Sequence, residues 1–146
     1  MTTIAICGDE IAADSQGTGG CEGVYLSYNK LFRIGNSWFG FTGNAVEVSI
    51  FKEILDGSCD KIPEELDLHI VELPDKGKPT SWYLSKGRLL ECPLSNKGFH
   101  ATGSGRDYAL GALEMGATAK QAVEIAKKRC PYTGGKVVVK KRGQLK

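Results

Sequence analysis

The second residue of the chain is a threonine, placed directly after the initiating methionine. A small residue there is the kind that methionine trimming tolerates, so removal of Met1 would leave Thr2 as the N-terminus. One residue would then carry both a hydroxyl and a free α-amino group. A threonine hydroxyl is a poor nucleophile by itself, and its own amine can act as the base that takes its proton. An α-amino group titrates at about 7.7–8.0, so a small downward shift leaves much of it neutral near physiological pH. A nearby lysine would supply that shift by disfavouring the ammonium form, and a carboxylate beside the lysine would hold it in place. The chemistry open to such a group is attack on a carbonyl carbon, through a covalent ester.

Other chemistries find less support. Gly103-Ser104-Gly105 precedes a helical pattern, but Tyr108 stands where a dinucleotide fingerprint needs its third glycine. No phosphate-binding G-x-x-x-x-G-K-[ST], no G-x-S-x-G elbow and no H-E-x-x-H is present. A Ser-His-Asp triad would need His69 or His100, and neither sits in a recognisable context. The five cysteines, Cys7, Cys21, Cys59, Cys92 and Cys130, are odd in number and contain no C-x-x-C. They suggest neither a disulfide framework nor a zinc ribbon. The spacing of His69, His100, Cys59 and Cys92 is unlike a ligand set, so no metal or other cofactor is expected.

Composition narrows the partners. The 146 residues carry 19 basic and 17 acidic side chains, a net charge of +2, which makes no general case for nucleic acid or membrane surfaces. The basic cluster Lys140, Lys141, Arg142 and Lys146 reads as a solvated tail. No apolar run approaches the roughly 20 residues that span a bilayer, and no signal peptide is visible. A cytoplasmic protein with reduced thiols is expected.

The elements that would position Thr2 follow from the pattern. Residues 3–7 and 10–14 read as a hairpin about Gly8-Asp9, 15–23 as a loop, and 31–35 and 38–42 as a second strand pair. Ala45, Val48, Phe51, Ile54 and Leu55 recur at helical spacing, predicting a helix over 44–56. Strands are expected at 67–73, 81–84, 88–91 and 99–102, and helices at 105–115 and 119–129. The last helix opens on a capping box, Thr118 to Gln121, and Pro131 stops it. Val137–Val139 reads as a final strand. Strands and helices in runs, without regular alternation, argue for an α+β fold in one domain over residues 1–146.

Several segments, in order, resemble the proteasome β-subunit family, and especially its bacterial HslV-type branch. They are Thr2-Thr3-Ile4, Ala12-Ala13-Asp14-Ser15-Gln16-Gly17-Thr18, Gly40-Phe41-Thr42-Gly43, Ala101-Thr102-Gly103-Ser104-Gly105 and Tyr132-Thr133-Gly134-Gly135. Lys30 follows Asp14 at the family's interval of sixteen. The resemblance spans almost the whole chain, 57–98 excepted. It implies an N-terminal-nucleophile fold, a four-layer αββα sandwich of two antiparallel sheets flanked by helices. It also implies roles. Thr2 would be the nucleophile and its amine the base. Lys30 would tune that amine, with Asp14 as its partner. The Gly43 N–H would face the oxyanion, Ser104 and Thr133 would orient the amine, and Thr18 would bind substrate backbone. Read alone, Ser104 with Asp107 is a helix capping box, Asp14 a turn residue, and Lys30 a surface lysine.

The chain departs from the family pattern at places. Cys130 replaces an aspartate, as in HslV-type members, the first hairpin is about four residues shorter, and the middle is shortened. The function implied is a threonine-type endopeptidase acting on peptides or unfolded chains in a homo-oligomeric ring. A separate ATP-dependent unfoldase is a possible partner. Two alternatives stay open: an amidohydrolase of small amides on the same fold, and a catalytically silent subunit used for assembly or binding.

Overall fold

The computed structural model describes residues 2–19, 23–43, 45–58, 61–92, 94 and 98–146. The chain opens with a tight hairpin, β1 (Thr3–Cys7) and β2 (Glu10–Ala13), followed by a short ribbon, β3 (Gly17–Gly19) and β4 (Gly23–Tyr25). Next come β5 (Leu31–Ile34), β6 (Ser37–Thr42) and α1 (Ala45–Leu55). Three strands follow, β7 (Leu68–Pro74), β8 (Thr80–Ser85) and β9 (Arg88–Cys92), then β10 (Phe99–Gly103). The chain ends with α2 (Arg106–Glu114), α3 (Ala119–Arg129) and β11 (Val138–Lys141).

These strands form two main antiparallel sheets. One has the order β10-β1-β2-β11, the other β5-β6-β7-β8-β9. Alternation along β1 shows how they stack. Ile4 and Ile6 point into an apolar layer with Ile11, Leu31, Trp38, Val71 and Leu73, which lies between the sheets. Ala5 points the other way, into a layer with Ala12, Ala101 and the buried faces of α2 and α3. On the far side, Phe39, Phe41, Leu68, Ile70 and Leu84 of the five-stranded sheet pack against Val48 and Phe51 of α1. The result is the expected four-layer αββα sandwich.

Helix α3 illustrates the local cause. Its capping box is formed by Thr118 and Gln121, and Ala119, Ala122, Val123 and Ala126 are its buried stripe. Three alanines among those four let the helix lie close over β1 and β2, whose own inward residues are Ala5 and Ala12. The basic last turn, Lys127, Lys128 and Arg129, suits the helix dipole.

Three expectations are corrected. Residues 15–23 do not form only a loop, because β3 and β4 pair there through Thr18 and Val24. Glycine-rich composition hides a strand whose hydrogen bonds are all backbone. The basic tail is not simply solvated either. Lys140 and Lys141 belong to β11, paired with Ile11 and Glu10, and Arg142 bonds Asp9 at 2.8 Å. Finally, Ser104 and Asp107 do not cap α2. Its N-cap is Gly105, with no side-chain cap bond, since the Ser104 hydroxyl turns toward Thr2. Among the described residues no helix is long and apolar enough to cross a membrane.

Candidate active site

The site gathers where β1 begins. β1 and β10 pair with Thr3 opposite Gly103, so the turn after β10 meets the start of the chain. The Thr2 carbonyl accepts from the Ser104 N–H at 2.8 Å and from the Ser104 hydroxyl at 3.3 Å. Only glycine fits at 103. Its φ is +99°, and a Cβ there would lie 1.8 Å from the Thr2 carbonyl oxygen. Thr2 is 7% exposed, close to the surface yet fixed.

Asp14 follows the end of β2, and its carboxylate is the most heavily bonded group of the site. One oxygen accepts from Lys30 Nζ at 2.8 Å and from the Thr3 N–H at 3.0 Å. The other accepts from the Gln16 N–H at 3.3 Å and the Gly134 N–H at 3.1 Å. Asp14 is 1% and Lys30 4% exposed. Burial pulls the Lys30 ammonium down, the Asp14 charge and hydrogen bond oppose it, and the net pKa is lowered. A cation is thus held in place close to the first residues of β1.

A second network surrounds Thr3. Its hydroxyl accepts from the Gly105 N–H at 3.0 Å and shares a 2.6 Å bond with the Thr133 hydroxyl. The Cys130 thiol lies beside it. Burial and the Asp14 charge push that thiol up, but hydrogen bonds with the Thr133 hydroxyl, the Tyr132 N–H and the Ser104 hydroxyl outweigh them, and its pKa is lowered. The segment from Cys130 to Gly134 is tied to the Asp14 turn by further bonds. Ser15 N–H donates to the Gly134 carbonyl at 2.9 Å, and Gln16 Nε2 donates to the Pro131 carbonyl at 3.2 Å.

The structure therefore brings together Thr2, Asp14, Lys30, Ser104 and Thr133, the last through Thr3. Gly43 lies on the other sheet, just past the end of β6. It has φ +149°, and a Cβ would strike Leu68 Cδ2 at 2.3 Å, so its backbone N–H sits on a turn that only glycine makes. Thr18 is central in β3, and its side chain lies outside the described residues. The residues that sequence reasoning missed are Thr3, Gln16, Gly105 and Gly134. For Thr3 a signal existed. It is a hydroxyl on the Thr3, Ala5, Cys7 face of β1, which covers alanine-rich helices, and a buried hydroxyl there needs a partner. The three cysteines among the described residues, Cys7, Cys92 and Cys130, are free thiols, and no cluster suited to a metal occurs there.

No protein-family model matches the sequence, and no curated protein matches it significantly. Solved structures do match. BPH of Thiobacillus denitrificans is 20% identical, with TM-score 0.65, over 97% of this chain and 99% of that one. The eukaryotic HslV of Trypanosoma brucei is 20% identical, with TM-score 0.66, over 95% and 98%. BPH in complex with epoxomicin is 19% identical, with TM-score 0.62, over 99% and 100%. Likeness of this extent at such low identity establishes architecture: over nearly its full length, the chain has the fold of HslV.

Proposed function

We propose that the protein is a threonine-type endopeptidase, with Thr2 as nucleophile once Met1 is removed. The observation that carries this reading is the buried Lys30–Asp14 pair, whose carboxylate also holds the Thr3 N–H, one residue from Thr2. A lysine and an aspartate this deeply buried are costly unless paired and hydrogen-bonded, and here they are aimed at the start of the chain.

The steps follow from the groups present. The Thr2 amine takes the hydroxyl proton as the oxygen attacks a peptide carbonyl. The Lys30 charge keeps that amine in its neutral, proton-accepting form. Developing negative charge on the carbonyl oxygen is met by the Gly43 N–H. The C–N bond then breaks, the amine's proton goes to the leaving nitrogen, and an ester on Thr2 remains. Water, deprotonated by the same amine, hydrolyses the ester. Ser104 fixes the Thr2 carbonyl, Thr133 fixes Thr3, and Thr18 would contact substrate backbone. Peptides or unfolded chains are the substrate, and a homo-oligomeric ring is the assembly that the family resemblance implies, with any ATP-dependent unfoldase a separate chain.

The test is the intact mass and N-terminal residue of the purified protein before and after epoxomicin, together with turnover of fluorogenic peptides. Loss of Met1, an adduct on Thr2, and loss of both adduct and turnover in Thr2→Ala are expected. Met1 retained throughout, or a free Thr2 that never reacts, would sink the reading. Turnover of small amides with none of peptides would move it to amidohydrolysis.

A further inference from the structure

A cluster that the proposed mechanism does not use lies between the two sheets. His69 on β7 bonds through Nδ1 to the Thr102 hydroxyl on β10, so one hydrogen bond crosses from sheet to sheet. The His69 ring lies flat on Tyr83 of β8, with centroids 4.2 Å apart and planes 1° from parallel. His100 of β10 meets it edge-on at 6.0 Å. Among the described residues, Nε2 of both histidines is buried without a hydrogen-bond partner. A buried polar atom without a partner is costly, so the pair is not there for stability alone.

Its place in the two sheets is informative. His69 pairs in register with Thr42, and the Thr42 hydroxyl donates to the His69 carbonyl at 3.3 Å. Thr42 directly precedes Gly43. On the other sheet, Thr102 lies two positions before Ser104, whose N–H and hydroxyl hold the Thr2 carbonyl. The bond therefore ties the strand that leads into the Gly43 turn to the strand that leads into the Thr2 clamp.

We propose that His69 is a positioning residue, a cross-sheet clasp with Thr102 that sets the distance between the Gly43 N–H and Thr2 and opens when the imidazole takes a proton. The proposal rests on the peptidase reading for its effect on turnover, but not for the clasp itself. The charged and titratable groups that bear on His69 are His100 from β10, Arg106 from the first turn of α2 and Tyr83 from β8; β6 contributes only the neutral Thr42. None of these is negative at neutral pH. A proton on His69 would thus be a buried charge beside a cation, with its Nε2–H unpaired. Burial foremost, then His100 and Arg106, pull its pKa down to about 4. Burial and Arg106 lower His100 as well.

The experiment uses the full chain and two independent readouts. Hydrogen exchange at the amides of Gly43 and Ser104 reports the clasp whether or not the protein is active. Peptide turnover, separated into kcat and KM, reports its consequence. Thr102→Val removes the hydroxyl with little change of shape, Thr102→Ser restores it, and His69→Phe keeps the stack on Tyr83 while removing the titrating group. In Thr102→Val, exchange at both amides should rise and kcat should fall about tenfold or more with KM little changed, and Thr102→Ser should recover both. Wild type should show the same loosening as pH falls toward 4, and His69→Phe should show no such acid transition in exchange. If exchange responds while no variant, nor wild type, cleaves peptides, the clasp stands and the peptidase reading fails. If Thr102→Val folds with exchange and kcat unchanged, or His69→Phe keeps the wild-type acid transition, the clasp is refuted.

Discussion

Replacing the buried pair at the heart of the site tests the electrostatic reasoning directly. Asp14 and Lys30 are 1% and 4% exposed, and their contact is 2.8 Å. Breaking such a pair from one side strands a buried charge and costs about 3–5 kcal/mol. The two sides are unequal here. Lys30→Met leaves Asp14 with three backbone N–H donors, from Thr3, Gln16 and Gly134. That variant belongs near the lower end, at about 3 kcal/mol. Asp14→Ala strands the same three donors and the ammonium together, which puts it near about 5 kcal/mol. The double variant should cost about 5 kcal/mol rather than the sum, because removing Lys30 relieves the stranded charge that Asp14→Ala created. Urea unfolding followed by tryptophan fluorescence measures all three, with Trp38 as a buried reporter at 4% exposure. Both single variants should also lose reaction at Thr2, even at concentrations of urea where they remain folded. Single costs below about 1 kcal/mol, the range of exposed ion pairs, or strict additivity in the double variant, would refute the picture of a dry, coupled pair.

Other perturbations probe the neighbouring structure. Thr3→Val keeps shape but leaves the Gly105 N–H without its 3.0 Å acceptor, and should cost about 1–3 kcal/mol in the same unfolding assay. Turnover should fall in that variant although Thr2 is intact. Gly103→Ala would place a methyl 1.8 Å from the Thr2 carbonyl oxygen at φ +99°, so epoxomicin labelling of Thr2, read by mass, should be abolished. The histidines give stability a pH dependence. His69 is held neutral in the folded state, so its contribution is complete above its ordinary 6.5 and is lost as pH falls through that value toward about 4. Thermal unfolding midpoints measured across this window should drop on the acid side, and His69→Phe should flatten the slope.

How much of this was legible in the sequence depends on whether side-chain pattern or backbone geometry decided each part. Helix α1 was readable because its apolar spacing is strong, with Val48 and Phe51 buried as the period predicts, and α3 was readable from its capping box and the proline that stops it. The first hairpin was readable from the Gly8-Asp9 turn between two short strand-like runs. The ribbon β3–β4 was not, because glycines carry no alternating pattern and the pairing is made by backbone alone. The misread cap of α2 has a different cause. Ser104 and Asp107 have the residue types of a capping box, yet the serine hydroxyl had a competing acceptor, the Thr2 carbonyl, over 100 positions away in sequence.

The site divides along the same line. Asp14 and Lys30 were legible only through the family resemblance, which marks their interval of sixteen; read alone, they are a turn residue and a surface lysine. What the sequence could not display is the frame that makes the pair effective. That frame consists of backbone donors, from Thr3, Gln16 and Gly134, which any residue but proline supplies, so the segments that contain them do not reveal the bonds they make. It also includes the chain of hydroxyls and a thiol from Ser104 through Cys130 and Thr133 to Thr3. In that chain Cys130 contributes the thiol. A thiol is a weak acceptor, and the hydrogen bonds it makes there lower its pKa. Asp14 is the carboxylate bound to Lys30, with one oxygen on the cation and the Thr3 N–H and the other on the Gln16 and Gly134 N–H groups. One carboxylate then does the work of orienting both the lysine and the start of the chain, which is why its removal should cost more than removal of the lysine it pairs.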